Sequence, residues 1–216
     1  MTRNGNRIMS LSLQHANARL SCEYWTVLTR ATVLRLCYCF GFNAFKYCVY
    51  SDGFLNHLLK ILSEGSVIVS DTNALSCMLS SLLSAVRVRV CSITHSSKVA
   101  KLAQRLRCTK SCAQVDVWAS LLSRVKHKNL VFAIATSPTS LLRLLELMRA
   151  LTLSPSAIIA CCVGAVNCGV SKRKLWLSAL NVPFLLIRGK VGGVAFGAAV
   201  LNLFKRRYAD YSAAVE

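Results

Sequence analysis

From Ser66 onward the chain alternates short apolar runs with longer segments whose polar residues recur at helical spacing. Ser66–Ser70 (SVIVS) is an apolar run that ends at Asp71, and Ala74–Ala85 follows with apolar and Ser content. Val86–Ser92 (VRVRVCS) alternates with period two, the pattern of a half-exposed strand. Val99–Leu106 is amphipathic with Lys and Arg on one face, and Gln114–Val125 repeats that pattern. Leu130–Ala135 (LVFAIA) reads as a buried strand. Ser140–Leu151 is the clearest helix, with Leu at helical spacing and Arg143, Glu146 and Arg149 outside the stripe. A strand over Ala157–Val163, a helix near Lys172–Leu180, a strand over Pro183–Ile187 and a helix near Val194–Phe204 complete the series. Strands alternating with helices require parallel pairing through right-handed crossovers. The expected fold is a three-layer α/β/α arrangement around a parallel sheet of about five strands. It makes one domain over 1–216, with an irregular segment over about 1–60 and a core over about 65–204.

Charge narrows the partners. Lys and Arg number 27 against 8 Asp and Glu, a net charge of +19. Such an excess suits nucleic acid, an anionic surface or a polycarboxylate or polyphosphate small molecule. The scattered acids leave little for paired-carboxylate catalysis. Lys and Arg are spread along the chain and do not interleave with aromatics, which speaks against a nucleic-acid module. The chain is 54% hydrophobic with a mean hydropathy of +0.47. Its longest uncharged stretch, Ala150–Ser171, is broken by Pro155, Asn167 and glycines, so no segment reaches the roughly 20 apolar residues of a membrane span. The polar start carries no secretory signal, and a cytoplasmic location is expected. The 11 cysteines form no C-x-x-C pair and read as small buried hydrophobes rather than metal ligands.

In such folds ligands meet the carboxyl ends of the strands. Those ends are Asp71, Thr136–Thr139, Gly164–Lys172 and Arg188–Gly193, each leading into a helix. Ser137 is placed to cap a helix with Pro138 at its first position. In the last loop Arg188 and Lys190 flank Gly189, and Gly192-Gly193 precede a helix. Glycines admit close approach of a ligand, and two cations beside exposed N–H groups suit carboxylates. Thr109-Lys110-Ser111 pairs two hydroxyls with a cation at another helix start.

Together these segments resemble the precorrin-8X methylmutases of cobalamin biosynthesis, in order from about Val33 to Phe204. The family's G-x-P-I-x-x-D segment stands here as Gly65–Asp71, and its T-R-S as Thr109-Lys110-Ser111. Its I-G-N-A-P-T-A-L is Ile134–Leu141. Its G-x-P-V-G-F-V-x-A-x-E-S-K is Ala160–Lys172, keeping Val163, Gly164, Val166, Ser171 and Lys172. Its R-G-x-x-G-G-S is Arg188–Val194, and its closing A-A-x-x-N-x-L falls on the segment of Ala198, Ala199, Asn202 and Leu203, with Phe204 where the pattern has Leu.

The resemblance implies an isomerase that moves a methyl group between adjacent ring carbons of a tetrapyrrole-derived macrocycle, without cofactor or metal. The implied substrate is a polycarboxylate, and the implied assembly is a homodimer. Catalysis falls to the position of the family's His in R-M-x-H-A-C-G, which here is Tyr38 within Arg35–Gly41. Tyr38 would donate a hydrogen bond or proton to a ring nitrogen. Imidazole titrates at about 6.5 and phenol at about 10, so Tyr is a neutral donor at pH 7. The substrate-binding positions are Ser12, Arg35 and Asp71; Thr109, Lys110 and Ser111; Pro138, Thr139 and Gly164; and Lys172, Arg188, Lys190, Gly192 and Gly193. The family's Asn, Glu and Ser in three strand-end loops are replaced by Thr136, Val170 and Val194. These losses keep open the reading of an inactive relative that still binds the corrinoid.

Overall fold

The computed structural model describes residues 27–41, 44–83, 88–122 and 129–202, with Arg7, Leu11 and Gln14 as single positions. The chain runs through α1 (Val27–Phe40), a 3-10 turn (Ala44–Tyr47), β1 (Cys48–Tyr50), α2 (Phe54–Ser63), β2 (Ser66–Ser70), α3 (Asn73–Leu83) and β3 (Val88–Cys91). It continues through α4 (Ser97–Leu106), α5 (Lys110–Leu122), β4 (Leu130–Ile134), α6 (Pro138–Arg149), β5 (Ala157–Ala160), α7 (Cys168–Trp176) and β6 (Phe184–Ile187). A last helix, α8, covers residues 194–202.

The six strands form one sheet in the order β1-β6-β5-β4-β2-β3. Five are parallel, as expected, with Ile68 beside Val131 and Ala133 beside Ile159. The sixth, β1, pairs antiparallel with β6 and closes that edge. So regular elements occupy much of the stretch before Ser66, where the hydrophobic pattern showed no rhythm.

Strand residues alternate between two cores, which makes the architecture three-layered. Ile68, Val131, Ala133 and Ile159 face one core with α1, α2, α3 and α8. Val69, Phe132, Ile134 and Ile158 face the other with α5, α6 and α7. The central strands β4 and β5 are buried along their whole length, which is why they read as continuous apolar runs. Edge strand β3 shows Arg89 to solvent, as its alternation requires. On the second face Arg143 ties α5 to α6, meeting Asp116 at 2.7 Å and Glu146 at 2.8 Å.

This winding fixes where a ligand can sit. The helix after β2, α3, lies on one face, whereas the helix after the neighbouring β4, α6, lies on the other. The order in which strands are added to the sheet therefore switches direction between the parallel neighbours β2 and β4, and a crevice opens outside their carboxyl ends. Among the described residues no helix is long and apolar enough to cross a membrane.

Four of the described cysteines, Cys37, Cys161, Cys162 and Cys168, are buried as core filler, whereas Cys39 and Cys77 are exposed and the others half-buried. Burial pushes the Cys48 and Cys162 thiols up to about 12 from an ordinary 9.0. Such a thiol stays neutral in the fold while the unfolded chain ionises. Its stabilising contribution is complete below about pH 9 and is lost as pH rises toward 12. Denaturant midpoints measured from pH 8 to 11 should therefore fall, and should fall less steeply in Cys162→Val. Parallel curves for the two proteins would contradict this.

Candidate functional site

The site is built on Asp71, the residue that ends β2. It is 3% exposed. Its Oδ1 accepts the Ala135 N–H at 2.9 Å, and its Oδ2 accepts the N–H groups of Thr136 and Ser137, each at 2.8 Å. The Thr136 hydroxyl donates to the same oxygen at 3.0 Å. These donors lie at the turn that starts α6, where helix geometry favours an anion. The carboxylate thus closes the crevice between β2 and β4 from within. Its own backbone carbonyl accepts Gln114 Nε2 at 3.0 Å and the Thr94 hydroxyl at 3.1 Å, which draws in α5 and the loop after β3.

Next along the edge, two helix starts meet. Ser137 caps α6, its Oγ accepting the Ser140 N–H, and Pro138 occupies the first turn. Thr109 caps α5, its Oγ1 accepting the Cys112 N–H at 3.2 Å. The hydroxyls of Thr109, Thr139 and Ser137 follow one another at 3.0 Å and 2.8 Å, and the Ser140 hydroxyl donates to Ser111 O at 2.6 Å. Lys110 is exposed at the first position of α5.

The β5 and β6 loops complete the edge. Cys161 N–H donates to Ile134 O at 2.7 Å, and Gly193 N–H to Cys161 O at 2.7 Å. A Cβ on Gly192 would overlap the carbonyl oxygens of Cys161 and Cys162, so only glycine allows this contact. Lys172 is 1% exposed, and its Nζ donates to Cys162 O at 2.9 Å and to Val191 O at 2.8 Å. Gly164 takes a positive φ of 145° in the β5 loop. Arg188 and Lys190 are exposed. The Arg188 guanidinium lies 4.7 Å from the centroid of the Trp176 ring, over a cavity of about 490 Å³ that Lys172, Arg173, Leu177 and Gly189 also line.

Helix α1 reaches the same end of the molecule. The Phe40 ring stacks on Phe196, in the first turn of α8, with centroids 3.6 Å apart. Arg35 is half-buried in α1, close enough to Cys39 for its charge to offset part of the rise that burial gives that thiol. Tyr38 is helical, and its side chain lies outside the described residues, as does Ser12.

Asp71, Thr109–Ser111, Pro138, Thr139, Gly164, Lys172 and Arg188–Gly193 thus share one sheet edge. Asp71 and Lys172 turn their charges into the chain rather than toward solvent. Sequence reading gave no such role to Thr94, Gln114 or Trp176, and it named Val191 only as part of the Arg188–Gly193 loop and not as a partner of Lys172. For Thr94 and Gln114 the signal was a lone hydroxyl or amide; for the other two there was none, since the contacts are remote in sequence.

Among the described residues the ion pairs use Glu64, Asp116 and Glu146, and none includes Lys110, Lys172, Arg188 or Lys190. No group of three or more His, Cys, Asp or Glu among them is placed to hold a metal ion. The arrangement presents cations, hydroxyls and loop backbone to an anionic ligand. Asp71→Ala would leave the buried N–H of Ala135 and the half-buried N–H groups of Thr136 and Ser137 without an acceptor, and a fully buried orphan donor costs about 1–3 kcal/mol. Its unfolding free energy should drop by about 2 kcal/mol or more, whereas Asp52→Ala, on an exposed turn, should stay within about 0.5 kcal/mol. Equal denaturation midpoints for both variants would refute this role.

Comparison with known proteins agrees with the geometry. The family model described as Precorrin-8X methylmutase matches residues 7–205. A precorrin-8X methylmutase of Sinorhizobium sp is 28% identical over 206 residues, covering 94% of this chain and 95% of that protein. Another, from Pseudomonas aeruginosa, is 30% identical over 142 residues, 65% of each chain. Among solved structures, the precorrin-8x methyl mutase of Thermus thermophilus has a TM-score of 0.81 at 22% identity, covering 94% of this chain and 98% of that one. A precorrin-8X methylmutase related protein has a TM-score of 0.77 at 23% identity, covering 90% of this chain and 99% of that one. The two structures share the fold. The family match, which leaves only the first six residues and the last eleven outside it, shows that the chain belongs to the precorrin-8X methylmutase family of cobalamin-biosynthesis isomerases.

Proposed function

We propose that the chain moves a methyl group from one ring carbon to its neighbour on a precorrin-8X-like tetrapyrrole. What carries this reading is the meeting of the family's motif segments at one sheet edge, joined by hydrogen bonds across β2, β4, β5 and β6. Lys110, Arg188 and Lys190 are exposed there and would meet the acetate and propionate arms. Thr109, Ser111 and Thr139 would add hydroxyl donors, with Pro138 and the glycines shaping the backbone. Asp71 and Lys172 would hold the loops rather than touch the ligand. Arg35, and Ser12 beyond the described residues, would border the macrocycle. The working unit is a cytoplasmic homodimer of single-domain chains.

The shift is internal to the substrate: one carbon–carbon bond breaks, another forms, and nothing is oxidised or reduced overall. The protein must hold the macrocycle and steady the charge that develops on it. Tyr38 would do this by donating its phenolic proton in a hydrogen bond to a ring nitrogen. Tyr38→Phe removes that donor and keeps the ring. Positioned donors contribute about a hundredfold or more, so turnover should fall by roughly that factor, and Tyr38→His should retain or raise it. Equal rates for wild type and Tyr38→Phe would defeat the catalytic assignment. A colour change on mixing with substrate but no turnover by any form would favour the inactive corrinoid binder.

A further inference from the structure

Lys172 holds a charge that the reaction does not use directly. Its side chain is buried, and no ion pair among the described residues includes it. An ammonium in such a place loses hydration and is compensated here by two carbonyl dipoles, those of Cys162 and Val191. A Met of similar length would fill the space without that cost, so packing alone does not account for a lysine. The two acceptors lie on different loops: Cys162 follows β5, and Val191 lies between β6 and α8. The β6 loop makes further contacts in the same place. Gly193 N–H reaches Cys161 O, and the Cys168 thiol contacts Cys162 O at 2.9 Å and Gly189 O at 3.6 Å. The ammonium is the charged member of this set. The loop it clamps carries Arg188 and Lys190 on its outer side, both exposed.

We propose that Lys172 is a positioning residue: by clamping the carbonyls of Cys162 and Val191, it holds the Arg188–Gly193 loop in one conformation, so that Lys190 and Arg188 reach ligand carboxylates together. The role in binding rests on the reading of this loop as part of the substrate site. The clamp itself does not.

Two measurements separate these. Amide hydrogen exchange at Gly193, whose N–H donates to Cys161 O, needs no ligand. It should be at least about tenfold faster in Lys172→Met than in wild type, as expected when a charged hydrogen-bond anchor is removed. Leu175→Ala, which empties a buried position in the same helix, should lower the melting temperature without that local change. Binding is then followed by the absorbance of hydrogenobyrinate, the methyl-shifted product of the proposed reaction. Lys190→Ala should weaken it about fivefold in the wild-type background, and less than about twofold in the Lys172→Met background. Lys172→Gln, which keeps a shorter donor, is made in parallel in case Lys172→Met does not accumulate, and should show the same two effects in weaker form.

Unchanged exchange in the Lys172 variants, or equal exchange in Leu175→Ala, would overturn the clamp. A full fivefold effect of Lys190→Ala in both backgrounds would overturn its role in binding. Failure of the wild type to bind hydrogenobyrinate would sink the functional reading while leaving the exchange result to decide the clamp.

Discussion

The edge of this molecule depends on one buried carboxylate. Asp71 leaves β2 and takes three backbone N–H groups and a hydroxyl from the turn that begins α6. Hydrogen bonds to a charged group contribute about 1.5–3 kcal/mol each, which is what burying an unpaired carboxylate requires. Because β2 and β4 are paired neighbours whose helices leave on opposite faces, a crevice opens outside their carboxyl ends. The carboxylate forms the floor of that crevice and fixes the first turn of α6. Ser137 and Thr139 can then meet Thr109, and the start of α5 is placed beside that of α6.

A division of labour follows along the edge. The buried charges, Asp71 and Lys172, bind the chain to itself, one through N–H groups and the other through carbonyls. The exposed charges, Lys110, Arg188 and Lys190, are left for a ligand. This arrangement answers the net charge of +19. Of the five acids among the described residues, Asp71 is held by its own turn, Glu64, Asp116 and Glu146 pair with Lys60 and Arg143, and Asp52 lies on an exposed turn, so none of them pairs with Lys110, Arg188 or Lys190. Under the proposed function, a polycarboxylate macrocycle meets this edge.

Much of this was legible in the residues. The apolar runs SVIVS, LVFAI and AIIA are strands because both their faces are buried, and α6 begins where Ser137 and Pro138 announce it. The resemblance to the methylmutases rested on motif segments that the fold does bring to one edge. Other features left no trace. Strand β1 has only three residues, too few for a period to show. The apolar pattern alone begins α5 only near Gln114, because its first turn carries no apolar stripe, although the Thr109-Lys110-Ser111 segment marks the start that the structure shows at Lys110. The inward orientation of Asp71 and Lys172 depends on partners 64–66 and 10–19 residues away, and residue type alone could not distinguish a group that touches a ligand from one that holds a loop.

The claim that the carboxyl edge of the sheet receives the macrocycle is tested most directly by a crystal structure of the chain with hydrogenobyrinate. The account predicts the ring outside the ends of β2, β4, β5 and β6, with its carboxylates within hydrogen-bonding distance of Lys110 and of Arg188 or Lys190. A macrocycle bound at the opposite end of the strands, or against the outer surface of α4 and α5, would contradict it.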